Sequence, residues 1–215
     1  MVEATALRRF RYIAIEGPIG VGKSSLARRL ALYLNAETLL EQPEDNPFLE
    51  RYYDDAPGYA FQTQLFFLFQ RLRQVRDLAQ PGMFTQTVVS DFMFAKDALF
   101  ARINLSDEEY RLYTQMYDKL ATQIPQPDLV IWLQASPDTL QQRIRQRAIP
   151  MEQRIASGYL LTLCEAYAQH FRNDDAAPVF AVDTERFHPA ASEADFALLI
   201  ERLQGFEARR AILNP

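Results

Sequence analysis

The sequence predicts a three-layer α/β sandwich in which helices flank both faces of a five-stranded parallel sheet. Short apolar segments alternate with longer amphipathic segments, an order typical of parallel strands joined by helices. Two of the apolar segments are Tyr12–Ile15 and Asp128–Leu133, and the second is so nearly all apolar that burial on both faces is expected. A length of 215 residues suits one domain, so we expect residues 1–215 to form a single unit.

The first strand leads directly into a phosphate-binding motif. The segment Gly17–Ser24 reads GPIGVGKS and matches the P-loop pattern, with a predicted helix behind it. The chain has only seven glycines, and three of them fall within six residues here, which argues against a chance match. In such a loop, backbone N–H groups hold phosphate, the lysine reaches the β- and γ-phosphates, and the serine hydroxyl binds Mg²⁺. The motif predicts a P-loop NTPase fold that binds ATP and Mg²⁺ through Gly17, Gly20, Val21, Gly22, Lys23, Ser24 and Ser25.

An acidic residue follows each of the next two predicted strands. The second strand, Ala36–Leu40, is followed by Glu41, and the third, Thr85–Ser90, by Asp91. In parallel α/β sheets, ligands bind at the carboxyl ends of the strands, so both carboxylates should face the crevice that holds the P-loop. An acid at the tip of an apolar strand commonly acts with the loop serine at Mg²⁺, which is the role expected of Asp91.

Two helices are expected between these strands. Asn46-Pro47 has the composition of a helix start, and a longer helix is predicted from Tyr59 to Ala79, before the break at Pro81-Gly82. The inner face of the longer helix is predicted from apolar residues at helical spacing, namely Phe61, Leu65, Leu68, Leu72 and Val75. We expect Gln62 to share this face, where its amide either bonds core backbone or contacts a ligand.

The second half of the chain predicts an arginine-rich lid. Ser106–Glu109 is a capping box that opens one helix, and Ser136-Pro137 starts another. The latter carries Arg143, Arg145 and Arg147 within five residues and without alternating acids, so their repulsion is unrelieved until an anion binds. The remaining expected elements are a helix over 155–171, a strand over 178–182 and a helix over 195–204.

Composition restricts the possible partners. The net charge of −5 disfavours nucleic-acid binding, which usually needs a positive surface. No apolar run approaches the ~20 residues that span a bilayer, and no signal peptide is visible at the start. The single cysteine, Cys164, fits a reducing compartment. We therefore expect a cytoplasmic protein with no nucleic-acid or membrane partner.

These motifs together resemble the deoxynucleoside kinase family, and most closely its bacterial deoxyadenosine/deoxyguanosine kinase branch. The residues that carry the resemblance are Glu41, the segment Asn46–Glu50, Phe61-Gln62-Thr63, Asp91 and the segment Arg143–Glu152. The similarity runs from about Tyr12 to Val182. It implies transfer of the γ-phosphoryl group of ATP to the 5′-hydroxyl of a deoxyribonucleoside, with purine deoxynucleosides favoured and a 5′-monophosphate as product.

The resemblance also implies roles for individual residues. Glu41 matches the general base, Asp91 the acid near Mg²⁺, and Arg143 and Arg147 the lid arginines. The nucleoside-binding positions are matched by Phe61 and Gln62 at the base edge, Asp97 at the nitrogens of the base, and Tyr53 with Glu152 at the sugar 3′-hydroxyl. A homodimer through the aromatic-rich helices around 47–80 and 106–122 is expected.

Two positions depart from the family pattern. Family members usually have an arginine directly after the strand-end acid, where this chain has Phe92. A second arginine, near the nucleobase, is expected to be replaced by Phe69. We hypothesise that Lys96, one helical turn after Phe92, reaches toward Glu41 instead.

Two alternative functions remain open on the sequence. A thymidylate kinase shares the P-loop, the preceding Glu16 and a lid, but commonly needs an arginine where this chain has Phe92. A non-catalytic ATP-binding regulator is compatible with the missing arginine. The preferred base is also open, because the amide and carboxylate expected in the pocket serve purines or pyrimidines by changing partners.

Overall fold

The computed structural model describes residues 7, 9–76, 78, 87–122, 124–173 and 175–213. Its strands are β1 (Tyr12–Glu16), β2 (Glu37–Leu39), β3 (Val88–Ser90), β4 (Leu129–Gln134), β5 (Val179–Asp183) and β6 (Arg210–Leu213). Its longer helices are α1 (Lys23–Leu34), α2 (Leu49–Asp54), α3 (Ala56–Arg76), α4 (Lys96–Asn104), α5 (Asp107–Ala121), α6 (Pro137–Arg147), α7 (Ser157–Asn173) and α8 (Glu193–Gln204). Short 3-10 helices cover Pro43–Asp45 and Pro150–Arg154. At least one helix separates each pair of successive strands.

The strands form a parallel sheet in the order β2-β3-β1-β4-β5-β6. The predicted parallel α/β architecture is confirmed, but the predicted number of five strands is wrong: within the described residues the sheet has six. The additional strand, β6, pairs with β5 at the sheet edge. It spans four residues, begins at an arginine and is partly exposed, so it lacks the apolar run that marks the buried strands.

Strand β1 lies between β3 and β4 and is buried on both faces. Ile13 and Ile15 pack into the core cluster that includes α1 and α8, whereas Tyr12 and Ala14 pack on the opposite face with Tyr167 of α7. Each side chain of the strand therefore contacts a covering helix. This packing fixes the strand from which the phosphate-binding loop emerges.

Some helix boundaries differ from the expected ones. Helix α2 begins at Leu49 rather than at Asn46-Pro47. The Asn46 side chain is buried, accepts from Phe48 N at 3.0 Å and donates to the Thr63 carbonyl oxygen at 3.1 Å, so it ties a loop to α3 instead of capping a helix. The predicted residues Ala79, Pro81, Gly82, Thr85 and Gln86 lie outside the described residues.

Local helix-start signals were predicted more accurately. The capping box at Ser106 and Glu109 is present at the start of α5. Ser136 caps α6, with its side chain accepting from Thr139 N.

In the part of the chain that the structure describes, no helix combines the length and the apolar character needed to cross a membrane.

Candidate active site

The phosphate-binding loop joins the end of β1 to the first turn of α1. Gly17 has a φ of 144°, and a side chain there would collide with the Leu133 carbonyl oxygen, so glycine is required. Gly22, with a φ of 103°, precedes the helix start at Lys23. The first N–H groups of a helix lack partners within the helix and carry its positive dipole end. The loop and this turn therefore have the chemistry of a phosphate site.

The ammonium group of Lys23 is held over this loop. Its Nζ donates to the carbonyl oxygens of Gly17 at 2.8 Å and Pro18 at 2.9 Å. An ammonium has three N–H donors, so one remains for a phosphate oxygen. Burial, reinforced by the charge of Lys96, lowers the pKa of Lys23 to about 8. The group is thus charged at neutral pH but close to its titration range.

Ser24 and Asp91 link the loop to the end of β3. The Ser24 hydroxyl donates to Oδ2 of Asp91, and Oδ1 of Asp91 accepts from Glu41 N at 2.7 Å. The ends of β2 and β3 and the start of α1 are therefore tied together. Among the described residues, no group of three or more His, Cys, Asp or Glu side chains could hold a metal ion. One hydroxyl and one carboxylate, completed by phosphate and water, nevertheless suit Mg²⁺, which usually keeps several waters and binds few protein ligands.

The carboxylate of Glu41 lies between two cations. Oε1 accepts from Nε of Arg71 at 2.9 Å and also from its Nη2, and Oε2 accepts from Lys96 Nζ at 2.9 Å. The side chains of Arg71 and Lys96 are 3% and 4% exposed, so solvent screens these ion pairs little. Burial raises the pKa of the Glu41 carboxyl, but Lys96 and Arg71 outweigh it and hold the pKa well below its usual value. Glu41 is therefore ionised at neutral pH.

Behind Glu41, Arg71 is part of a buried polar layer. Its Nη1 donates to Oδ2 of Asp97, while Oδ1 of Asp97 accepts from Gln64 Nε2 at 2.7 Å and from the Tyr113 hydroxyl at 2.6 Å. Asp97 and Tyr113 are fully buried. The guanidinium of Arg71 thus bridges two carboxylates, and the layer connects α3 to α4 and α5.

A cavity of about 340 Å³ joins the phosphate-binding loop to this layer. Its volume lies at the lower end of the range for small-molecule sites. Its lining includes Lys23 and Ser24 at the start of α1, together with Glu41, Arg71 and Lys96. Further lining residues come from α2, the end of α6, the segment after it and the start of α7, namely Tyr52, Tyr53, Arg147, Met151, Glu152 and Tyr159. The cavity thus presents a cationic phosphate site and a carboxylate to the same space.

The structure separates the expected lid arginines. Arg147 lines the cavity and donates to Glu152. Arg143, expected on the same face, instead donates to the Thr184 hydroxyl at 2.9 Å and to its carbonyl oxygen at 2.5 Å. Arg145 is exposed. Long side chains allow residues on one helical face to diverge, so the pair does not form the joint clamp that the spacing indicated.

Arg143 borders a second recess next to the loop. This recess is lined by loop and helix residues that include Val21, Gly22 and Leu26, and by Thr184 and Phe187 after β5. Its cavity volume is about 180 Å³. The loop and the start of α1 therefore contribute to two recesses, and Ser25 lines the smaller one.

The amide of α3 that lines the cavity lies two positions after the one expected at the base. Gln62 is exposed rather than on the inner face, and Phe61 packs near the core without lining the cavity. Gln64, which is 3% exposed, lines the cavity in its place. Its spacing from Leu68 and Arg71, four and seven residues later, was the signal that could have identified it.

The structure also places two other expected residues, Phe69 and Asp97, outside the cavity lining. The family arginine near the base is not replaced by Phe69, whose side chain is 47% exposed. Arg71, two residues later, is the cavity arginine. Asp97 does not line the cavity, because its carboxylate is taken up by Gln64, Arg71 and Tyr113.

The sequence of this chain is similar to those of known nucleoside-phosphorylating proteins. Residues 13–206 match the family model for deoxynucleoside kinase. The chain is 33% identical over 190 residues to the deoxyguanosine kinase of Bacillus subtilis, covering 86% of this chain and 92% of the relative. It is 33% identical over 180 residues to the deoxyadenosine kinase of Dictyostelium discoideum, covering 82% of this chain and 73% of the relative.

A solved structure shares the fold over nearly the whole chain. The deoxyadenosine kinase from M. mycoides with bound dATP aligns with a TM-score of 0.79 at 26% identity, covering 91% of this chain and all of that chain. The family model matches most of the sequence, and this match confirms the expected resemblance. The cavity, which is lined both by the phosphate-binding loop and by the strand-end carboxylate Glu41, is consistent with it. This protein belongs to the deoxynucleoside kinase family.

Proposed function

We propose that the protein transfers the γ-phosphoryl group of ATP to the 5′-hydroxyl of a purine deoxyribonucleoside. The observation that carries this proposal is that Lys23, Glu41 and Gln64 line one and the same cavity. A phosphoryl donor on the loop and an alcohol at Glu41 would then share one space, as in-line transfer requires. The names of the relatives, deoxyguanosine kinase and deoxyadenosine kinase, favour a purine substrate.

The residues present fit ATP and Mg²⁺. Lys23 and the first turn of α1 would hold the phosphates, with Ser24 and Asp91 at the metal, and the recess beside Gly22 and Arg143 suits the base of the donor. ATP supplies the phosphoryl group, and Mg²⁺ neutralises charge on its phosphates. Arg147 lines the cavity, where its cation can stabilise charge that develops during transfer.

The chain's own residues orient the acceptor. Glu41 is ionised and accepts the proton of the 5′-hydroxyl as the oxygen is phosphorylated, while Arg71 and Lys96 hold its carboxylate in place. Tyr53 and Glu152 line the cavity and are suited to bind the sugar 3′-hydroxyl. Burial and the charge of Glu152 raise the pKa of Tyr53, so its phenol stays protonated as a donor.

Lys96 takes the place of the arginine that family members usually carry after the strand-end acid. Phe92, at that position, is fully buried in the core cluster between α3 and α5. Lys96 is four residues later and its ammonium reaches Glu41 Oε2. A cation is thus supplied to the carboxylate from one helical turn farther along the chain.

Lys96→Met is expected to lower kcat by ~10-fold or more, because one of the two cations that orient Glu41 is removed. Lys96 lowers the pKa of Glu41, so its loss raises that pKa and the acidic limb of the kcat–pH profile moves to higher pH. Steady-state kinetics with deoxyadenosine and deoxyguanosine measure both effects. The control is Lys119→Met, which removes an exposed lysine. An unchanged kcat and profile would refute the role.

Affinity for ATP is expected to fall with rising pH. Lys23 has a pKa of about 8 in the free protein and binds phosphate when protonated. Its protonated fraction, and with it the affinity, falls roughly 20-fold between pH 7.5 and about 9.5. Titration calorimetry across this range measures the change, and Lys23→Arg is the control because arginine stays charged. Equal pH dependence of wild type and Lys23→Arg would contradict the assignment.

We propose that the protein forms a homodimer through α3 and α5. Phe69 on α3 and Leu112 on α5 are 47% and 50% exposed, and apolar residues on neighbouring helices are typical of a homodimer interface. The mass of the protein in solution, measured by light scattering, tests this proposal; the mass of a single chain would contradict it.

The experiment that tests the proposed function is a phosphoryl-transfer screen with ATP and Mg²⁺. The acceptors are the four deoxynucleosides and their monophosphates. We expect 5′-phosphorylation of deoxyadenosine and deoxyguanosine. Phosphorylation of dTMP alone would identify a thymidylate kinase, and ATP binding without any product would identify a non-catalytic regulator.

A further inference from the structure

Glu16, the last residue of β1, is a buried carboxylate that the proposed reaction does not use. It is fully buried, and in the part of the chain that the structure describes it forms no ion pair. Burial of a carboxylate is costly unless hydrogen bonds or a cation compensate it. Glu16 lines neither the cavity nor the recess beside Arg143, so contact with a ligand does not explain it.

Hydrogen bonds at both carboxylate oxygens compensate this burial. Oε1 of Glu16 accepts from Met93 N at 2.6 Å, and Oε2 accepts from Gly17 N at 3.2 Å and from the Tyr167 hydroxyl at 2.9 Å. Backbone N–H groups only donate, so both ends of the side chain must be acceptors. A glutamine of the same size would turn its NH₂ group toward one of the two N–H groups. The site therefore requires a carboxylate.

The two backbone partners of Glu16 belong to opposite parts of the phosphate site. Gly17 is the first residue of the loop, and its carbonyl oxygen accepts from Lys23 Nζ at 2.8 Å. Glu16 thus holds the N–H of the residue whose carbonyl oxygen holds the phosphate-binding lysine. Met93 lies two residues after Asp91, the acid proposed to act at Mg²⁺. One side chain therefore ties the start of the loop to the segment that follows the end of β3.

Tyr167 ties this carboxylate to helix α7. It is 1% exposed, and its ring packs near those of Phe100 and Phe171, with centroids 6.4 and 6.2 Å away. Burial and the charge of Glu16 raise the pKa of the Tyr167 phenol, so the phenol remains a donor. The core holds the ring, and the ring holds the hydroxyl at the carboxylate. The loop is thus connected to a helix that lies 151 positions later in the chain.

We propose that Glu16 and Tyr167 are positioning residues that hold Gly17, and through it Lys23, in place to receive the phosphates of ATP. This inference rests on the proposed function, because it concerns the ATP side of that reaction. A group that is already held in place loses less conformational freedom when its ligand binds, so the network favours ATP affinity. A network that only stabilised the fold would not distinguish ATP from the deoxynucleoside.

The test is Glu16→Gln, which keeps the size of the side chain and removes one of its two acceptor ends. The dissociation constant of ATP in the presence of Mg²⁺, measured by titration calorimetry, is expected to rise ~10-fold, because a buried N–H loses its partner. KM for ATP should rise to a similar extent, while KM for deoxyadenosine stays within about twofold. Tyr167→Phe keeps both backbone hydrogen bonds of Glu16 and should show the same pattern with a smaller rise, of about threefold.

The matched controls remove the same chemical groups elsewhere. Glu165→Gln replaces an exposed carboxylate on α7, and Tyr110→Phe removes a hydroxyl from α5. Both should leave the dissociation constant of ATP unchanged.

Two results would overturn the inference while leaving the proposed kinase activity intact. The first is unchanged ATP affinity in Glu16→Gln, and the second is an equal rise of KM for ATP and for deoxyadenosine, which would reduce the network to a structural role. Tyr167→Phe provides the same comparison if Glu16→Gln does not fold. Failure of the wild type to bind ATP would overturn both this inference and the proposed function, whereas ATP binding without phosphorylation of any deoxynucleoside would overturn the proposed function alone.

Discussion

Replacement of Glu41 by glutamine is expected to lower kcat by ~10²-fold or more while nucleoside binding is largely retained. The amide cannot accept the proton of the 5′-hydroxyl, whereas Arg71 and Lys96 remain to hold a polar side chain at the same place. Steady-state kinetics with deoxyadenosine and deoxyguanosine measure kcat and KM separately.

The control for Glu41→Gln is Glu37→Gln, which removes an exposed carboxylate at the start of the same strand. It should leave both kinetic constants unchanged. Turnover of Glu41→Gln close to that of the wild type would refute the role of Glu41 as general base.

Replacement of Arg71 by methionine is expected to have the largest effect on stability. Arg71 is 3% exposed and bridges Glu41 and Asp97, so its loss leaves a fully buried carboxylate, Asp97, and a partly buried one, Glu41, without their shared cation. Breaking a buried ion pair by removing one partner costs about 3–5 kcal/mol. Denaturant unfolding measures this loss as a lower transition midpoint.

The matched control for Arg71→Met is Arg73→Met, which removes an exposed arginine from the same helix. Its free energy of unfolding should change by less than about 0.5 kcal/mol. A similarly small change for Arg71→Met would contradict the view that the bridge stabilises the fold. The variant should also lose activity, since Glu41 would keep only one of its two cations.

Features fixed by local chemistry could be predicted from the sequence. Gly17 and Gly22 are required by backbone angles, and the capping box at Ser106 by the hydrogen bonds of one helix turn. The position of Glu41 in the crevice follows from the direction of parallel strands, since β2 must end at the same sheet edge as β1.

Features that depend on helix phase or on side-chain direction could not be predicted. Helix α3 carries aromatic residues on several sides, so its apolar pattern did not distinguish the face of Gln62 from that of Gln64. Neighbouring positions on a helix differ by about 100° around its axis, so a small error in phase exchanges buried and exposed residues. Arg143 took a different direction from Arg147 because Thr184, distant in sequence, provides acceptors for it.

The edge strand and the buried network needed the tertiary structure. Strand β6 has no apolar run of its own and is a strand because β5 offers it a partner. Tyr113 looked like one of several aromatic residues on α5, and nothing in its local sequence indicated the hydrogen bond to Asp97, 16 positions earlier.

The most direct test of the central claim is a crystal structure of the protein with deoxyadenosine and a non-hydrolysable ATP analogue. The account predicts that the terminal phosphate lies on the loop at Lys23, and that the 5′-oxygen lies within about 3 Å of the Glu41 carboxylate, in line with that phosphorus. A nucleoside bound with its 5′-oxygen directed away from Glu41, or outside the cavity that contains Lys23, would contradict it.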